Sequence, residues 1–453
     1  MVAQAIQKQD KLTILANTVQ SSAQVISEHL KKTGLPQPSF DANAPQTLFP
    51  PDTTDRTVLN AQHELLSAAE MLRALAHGPA EYLTYHLFQY LEIIAFRYVY
   101  RYKIASFVPL ASPEAPPGTE VPTISYDELA AKASAAGYPV ATSDLKRMVR
   151  TCASSMIFCE PVPGRVAHTA SSARMITAQM NDLVGLGIEE AFPAVEKAID
   201  AIEKYGPAAQ EPSQSAYGLA YNTKGKDFYT YLTDEGGPER VARFSRAMKA
   251  INDNAGYGTQ NVADAYDWAS LGKAKLVDVG GSRGHNSMTI AQKNPEMTFV
   301  VQDLESVIKE ANATVVPSLP SNLAGKVSFQ AYDFFGEPQP VHDADVYFLS
   351  LILHNWADKY ATKILKSIVK AMKPGARIFI LDGVLPSPGT IPIAQDRALR
   401  SMDLAMMVLN NARERDAEDW EALFKQADPR LKLETVSALP GSILSLMSLS
   451  LKA

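Results

Sequence analysis

Leu276-Val-Asp-Val-Gly-Gly-Ser-Arg-Gly-His285 decides how this chain reads. A short apolar run fit for a buried strand enters a glycine turn, and a helical pattern follows. That order opens a doubly wound α/β sheet, in which ligands bind beyond the carboxyl ends of the strands. The glycines fall at 280, 281 and 284, which does not fit the G-x-G-x-x-G of dinucleotide sites. Asp278 stands two residues before the first of them. Its carboxylate would repel a pyrophosphate but attract the ammonium group of S-adenosylmethionine, directly or through water. The glycines should let backbone N–H groups come close to the ligand. Asp303, in Val301-Gln-Asp-Leu304, ends the next strand, where a carboxylate can accept both ribose hydroxyls of an adenosine. A glycine turn alone would be an ordinary strand-to-helix connection; the two acids give it a ligand.

Outward from this stretch the pattern repeats. Strand-like runs at 275–279, 298–302, 326–331, 345–350 and 377–381 alternate with helical segments, the signature of a parallel sheet. Ala331-Tyr-Asp-Phe-Phe335 puts Asp333 and Phe334 past the third strand, where an acid can accept from an adenine amino group and an aromatic can cover the ring. His354, in Leu353-His-Asn-Trp356, lies at the tip of the fourth. Asp382 ends the fifth, and Glu414 follows in Asn411-Ala-Arg-Glu-Arg-Asp416. A histidine flanked by carboxylates is oriented and made more basic, as a general base requires. The other histidines, at 29, 63, 77, 86, 168, 285 and 342, lack that company and read as structural.

Composition bounds the alternatives. With 43 Lys+Arg against 49 Asp+Glu the 453-residue chain carries a net charge of −6, which disfavours a nucleic-acid partner. The longest apolar runs, such as Val346–Leu353, fall far short of the roughly 20 residues of a bilayer span. Residues 1–15 show no apolar signal-type core. Cys152 and Cys159, the two cysteines, make neither a disulfide framework nor a zinc site. The expectation is a soluble, cytoplasmic, metal-free protein without a membrane or nucleic-acid partner.

The N-terminal half is helical. We expect an N-terminal helix and arm over 1–55 and a helical, winged-helix-like domain over 56–175. Connecting helices over 176–265 should line a substrate pocket, and the α/β domain should span 266–453. The aromatic block Tyr82, Tyr85, Phe88, Tyr90, Phe96, Tyr98, Tyr100 could stack nucleic-acid bases, but the acidic chain favours a core or subunit-interface helix. Pro- and Gly-containing residues 111–121 read as a turn, and Ser125 and Glu128 form a capping box for the helix after it.

Taken in order, Val277-Asp-Val-Gly-Gly, Val301-Gln-Asp-Leu, Tyr332-Asp-Phe-Phe, Leu351-Ile-Leu-His-Asn-Trp, Leu381-Asp-Gly-Val-Leu-Pro386 and Arg413-Glu-Arg resemble the plant-type small-molecule O-methyltransferases, nearest their fungal branch that methylates aromatic polyketides and related secondary metabolites. The resemblance spans about residues 60 to 450. It implies a Rossmann-like methyltransferase sheet, S-adenosylmethionine as cofactor, no metal, a homodimer built through the N-terminal domain, and a small aromatic substrate. It implies His354 as catalytic base between Asp382 and Glu414, with Gly280, Gly281, Asp303 and Asp333 on the cofactor. Pocket candidates are Met248, Met402, Asp403, Met406, Met407 and Asn410, although core packing explains the methionines equally well. The chain departs from the family's pattern at Asp382 (often Glu), at Ser350 (often Lys or Arg) and at Ser282 (a glycine position). The alternative reading keeps fold and cofactor but replaces methyl transfer by a pericyclic or dehydrative step.

Overall fold

In the computed structural model Asp10 caps the first helix by accepting the N–H of Leu12, and Gly34, with φ +72°, ends it. Residues 10–50, 53, 55–112, 121–252, 259–439 and 442–452 are described; most of the turn expected at 111–121 and the first nine residues lie outside them. The helices α1 (Lys11–Thr33), α2 (Arg56–His77), α3 (Pro79–Phe88) and α4 (Glu92–Arg101) come first. Next are β1 (Ile124–Ser125), α5 (Tyr126–Ala135), α6 (Thr142–Ser154), β2 (Cys159–Val162) and β3 (Arg165–Ala167). Then follow α7 (Ala170–Arg174), α8 (Ala178–Gly185), α9 (Phe192–Val195), α10 (Ala198–Tyr205), α11 (Ala216–Tyr221), α12 (Phe228–Asp234) and α13 (Pro238–Asn252).

The α/β half runs β4 (Lys275–Val279), α14 (His285–Lys293), β5 (Thr298–Asp303), α15 (Glu305–Thr314), β6 (Val327–Ala331), β7 (Val346–Ser350), α16 (Asp358–Ala371) and β8 (Arg377–Leu385). It finishes with α17 (Ile393–Asn410), β9 (Arg415–Asp416), α18 (Ala417–Ala427), β10 (Leu431–Ala438) and β11 (Leu444–Leu451).

The chain forms two compact units. The first comprises residues 1–50, 55–192 and 237–251; the second comprises 51–54, 193–236 and 252–453. Within the first, the expected capping box closes on α5 with both of its hydrogen bonds, and β3 sits between β1 and β2 in a small antiparallel sheet. The segment Leu186–Ala191 is a π-helical turn. Its Glu190 binds Arg240 and Arg243, and Arg246 pairs with Asp182, so α13 is joined by charge to residues some fifty or more positions earlier.

The second unit holds an eight-stranded sheet in the order β10-β11-β8-β7-β4-β5-β6, with β9 paired to β8. Strands β4 to β8 run parallel, as the alternation predicts. The antiparallel hairpin β10–β11 extends the sheet beyond β8. Alternate residues face opposite layers. Val277, Tyr347, Leu349, Ile378 and Ile380 pack on α16 and α18, while Leu276, Phe299, Phe348, Phe379 and Leu381 pack with Trp268 and Ile290. Each such side chain contributes about 1.5–3 kcal/mol on burial. Two apolar layers fix the strands, and the strands carry the candidate site.

Candidate active site

The glycine turn after β4 is shaped by what a side chain would strike. Gly280 has φ +76°, and a Cβ there would overlap Ile352 Cδ1. A Cβ on Gly281 would lie 2.5 Å from Asp278 Cγ. The expectation that the loop's N–H groups face the ligand is corrected. Gly280 and Gly281 donate to Gln302 O at 2.8 and 3.0 Å, and Ser282 donates to Asp303 Oδ2 at 2.9 Å. Those amides are spent binding the loop to the end of β5; what the glycines leave is room, in which Ile352 and the Asp278 carboxylate lie close. Ser282, at the variant glycine position, accepts φ +50°.

The acids around this room are placed differently. Asp303 takes the N–H of Leu304 on Oδ1 at 2.8 Å and that of Ser282 on Oδ2. Burial raises its pKa while these two bonds oppose the rise, and each oxygen keeps a lone pair. Asp278 Oδ2 accepts from Ser287 Oγ at 2.6 Å, whereas Oδ1 is buried with no hydrogen-bond partner. Burial pushes this carboxyl up to about 7. A buried oxygen without a donor is costly, and the ammonium of S-adenosylmethionine would satisfy it, so the residues present fit that cofactor. Asp333 Oδ1 accepts from Phe335 N at 2.9 Å, a local turn. The edge of Phe334 borders the space at Gly280, and Phe335 meets Trp356 edge to face at 4.6 Å.

His354 follows an unusual turn. Leu351, just beyond β7, is left-handed at φ +54°. Its N–H donates to Leu381 O and its carbonyl accepts from Asn355 Nδ2, each at 2.9 Å. A left-handed leucine costs of order 1 kcal/mol, which such bonds can offset. The short 3₁₀ turn Leu353–Asn355 then turns His354 inward, 6% exposed. His354 Nδ1 lies 2.7 Å from Glu414 Oε1 and 3.8 Å from Asp382 Oδ1. An ionised carboxylate only accepts, so Nδ1 carries the hydrogen and, in the neutral ring, Nε2 keeps the lone pair. Burial alone would lower the imidazole pKa, but the charges of Asp382 and Glu414 overcome it and hold the ring up at about 9. Asp382, shorter than a glutamate, stays beyond hydrogen-bond reach. Both of its oxygens are without partners, and burial carries it up to about 7.

Further residues form this arrangement. Asp403, read from the resemblance as a pocket residue, accepts the backbone N–H of Glu414 at 2.9 Å. A Cβ on Gly383 would come within 2.7 Å of Glu414 Oε2, so this glycine leaves room for the acid. Gly383 was visible beside Asp382, but nothing along the chain marks it as facing Glu414. Asn410 is buried and hydrogen-bonded to Tyr229. Met402 is buried next to Gly383, and Met406 and Met407 are half-buried on α17. Met248 lies half-buried on α13 in the first compact unit; the other candidates all belong to the second. Among the described residues no cluster of His, Cys, Asp and Glu is placed to hold a metal, and no helix is long and apolar enough to cross a membrane.

Comparison with known proteins places this geometry. Residues 207–428 match the model of an O-methyltransferase domain. Over 443 residues the chain is 33% identical to O-methyltransferase bik3 of Gibberella fujikuroi, covering 97% of this chain and 93% of that protein. The chain belongs to the O-methyltransferase family. Chlorophenol O-methyltransferase of Trichoderma longibrachiatum is also 33% identical over 446 residues, 97% of this chain and 90% of that one. The crystal structure of OxaC in complex with SAH and oxaline shares the fold, with a TM-score of 0.71 and 22% identity over 97% of this chain and 100% of that one. This O-methyltransferase is therefore an enzyme whose methyl donor is S-adenosylmethionine.

Proposed function

We propose that this O-methyltransferase acts in the cytoplasm on a phenolic hydroxyl of an aromatic secondary metabolite of polyketide type, with His354 as general base. The observation that carries this reading is the 2.7 Å contact from His354 Nδ1 to Glu414, which leaves Nε2 as the proton acceptor. The family supports transfer to a small molecule, and the name of the chlorophenol relative supports a phenol. When bound, S-adenosylmethionine supplies a methyl group made electrophilic by its sulfonium.

The residues of the chain do the rest. Asp303 would hold the ribose hydroxyls, Asp278 the ammonium, and Asp333 and Phe334 the adenine. Asp403, Met407 and Asn410 of α17 form the substrate side. His354 Nε2 removes the hydroxyl proton as the oxygen turns nucleophilic. A phenol of pKa about 10 loses its proton with difficulty to an ordinary imidazole of about 6.5. Here the ring stands near 9, close to its task. The imidazolium that forms is stabilised by Glu414 at contact and by Asp382 at longer range. Placed base catalysis of this kind contributes about 10² to 10⁴-fold. The partner we propose is a second copy of the chain, covering α3, none of whose residues is buried in one copy.

The test combines purified protein, methyl-labelled S-adenosylmethionine and a panel of phenolic polyketides, with His354→Ala alongside. Label should enter a phenol and fall by about 10²-fold or more in the variant. A mass-neutral product without label would replace methyl transfer by a rearrangement, and full activity in His354→Ala would remove the base.

A further inference from the structure

Arg415 is fully buried at 0% exposure, where a guanidinium must satisfy all its donors. Nη1 donates to Leu353 O at 3.0 Å, Nη2 to Trp356 O at 2.8 Å, and Nε to Asp358 Oδ1 at 2.9 Å. Its planar face rests on Trp420, 5.2 Å from the ring centroid, and Trp420 Nε1 in turn donates to Gly383 O at 3.0 Å. Arg413 donates to Asp358 Oδ2 at 3.0 Å and to Asp419, which steadies the counter-charge. Leu353 and Trp356 bracket His354, and Glu414 immediately precedes Arg415. One side chain thus ties the turn that carries His354 to the strand whose neighbouring residue grips its ring.

We propose that Arg415 is a positioning residue for methyl transfer: it holds the Leu353 and Trp356 carbonyls so that His354 meets Glu414 at hydrogen-bond distance. This rests on the reading of His354 as the base. A planar fork can span two carbonyls and a carboxylate at once; a lysine ammonium, a point charge, cannot. The charge matters as well as the shape. The charged groups around His354 are Asp382 from β8, Glu414 and Arg415 from the β9 segment, and Asp358 at the start of α16, behind Arg415. Of these, Arg415 opposes the rise that the two acids impose on the imidazole, so it keeps more of the ring neutral and able to accept a proton.

The test uses the full chain carrying Arg415→Lys or Asp358→Asn, with His354→Ala as control. Steady-state kinetics, calorimetric cofactor affinity and ¹⁵N-imidazole NMR of His354 without cofactor are read together. Arg415→Lys should lower kcat by about 10²-fold, the penalty for a misplaced catalytic group. KM and cofactor Kd should hold, and the His354 Nδ1–H signal should lose its hydrogen-bonded shift. If Arg415→Lys does not fold, Asp358→Asn, changed at a half-exposed position, decides by the same pattern in weaker form. Wild-type kcat in the folded variants overturns the proposal, as does a loss of kcat with an unchanged His354 signal. His354→Ala separates the layers: if it keeps activity, the base reading itself fails; if it loses activity while both other variants keep theirs, only the positioning role fails.

Discussion

Glu414 acts on His354 in two ways, by fixing which nitrogen carries the hydrogen and by raising the pKa of the ring. The sign of the second effect can be measured. The base works when neutral, so kcat/KM rises with pH through the imidazole pKa, and a raised pKa moves that rise to alkaline pH. Glu414→Gln keeps an oxygen for Nδ1–H but removes a charge. The rise should therefore move to lower pH, while the plateau falls by about 10-fold or more because the imidazolium is less stabilised. A pH–rate profile checks this; a limb that stays in place or moves to higher pH would show that Glu414 does not set the base. At this scale the sequence was informative about His354, which follows the end of β7 where an α/β sheet presents side chains. Asp382, expected at the end of its strand, lies inside β8, which continues to Leu385, and Glu414 precedes β9, so both were legible only through the family resemblance. The sequence was silent on Gly383 and on the bond from Asp403 to the Glu414 backbone. Those are contacts between segments distant along the chain, and no local pattern encodes them.

The elements deliver these residues through their ends. The turn after β4 is the clearest case, because its amides are spent on β5 and its glycines let Ile352 and Asp278 come close. Gly280→Ala would have to hold φ +76° with a methyl overlapping Ile352. We expect it to destabilise the fold by about 1–2 kcal/mol and to weaken cofactor binding by about 10-fold or more, as the loop shifts into the ligand's room. Calorimetric titration with S-adenosylmethionine beside chemical denaturation would read both; unchanged affinity would refute the view that the glycine clears the site. Strands β4, β7 and β8 were legible because each is a short, mostly apolar run buried on both faces, whereas β5 and the partly exposed edge strand β6 were legible from their place in the strand–helix alternation. The direction of the loop's N–H groups was not, because a glycine turn can donate outward or back to its own sheet with the same sequence. The closing hairpin was written plainly in Leu444-Ser-Leu-Met-Ser-Leu-Ser-Leu451, whose near-alternation marks a strand; no motif drew attention to it.

At the scale of the whole molecule, the first unit leaves an apolar surface that a single copy does not cover. On α3, Leu83 is 70% exposed, Leu87 60% and Phe88 53%, and Leu91 and Ile94 continue the exposure toward α4. Contiguous apolar surface of this kind marks an interaction site, and a stable interface needs about 800 Å² from each partner. A second copy fits because the family resemblance assigns dimerisation to this end of the chain, and a closed pair covers both surfaces equally. Leu83→Glu combined with Leu87→Glu places charge at the centre of that contact, where charged residues are depleted in interfaces. Neither leucine has a core role in one copy, so the variant should fold. Sedimentation should give twice the chain mass for the unaltered protein and the single-chain mass for the double variant, with a melting temperature that depends on concentration only in the former. Single-chain mass for the unaltered protein at assay concentration would end the dimer reading, and the apolar face of α3 would then require a different partner.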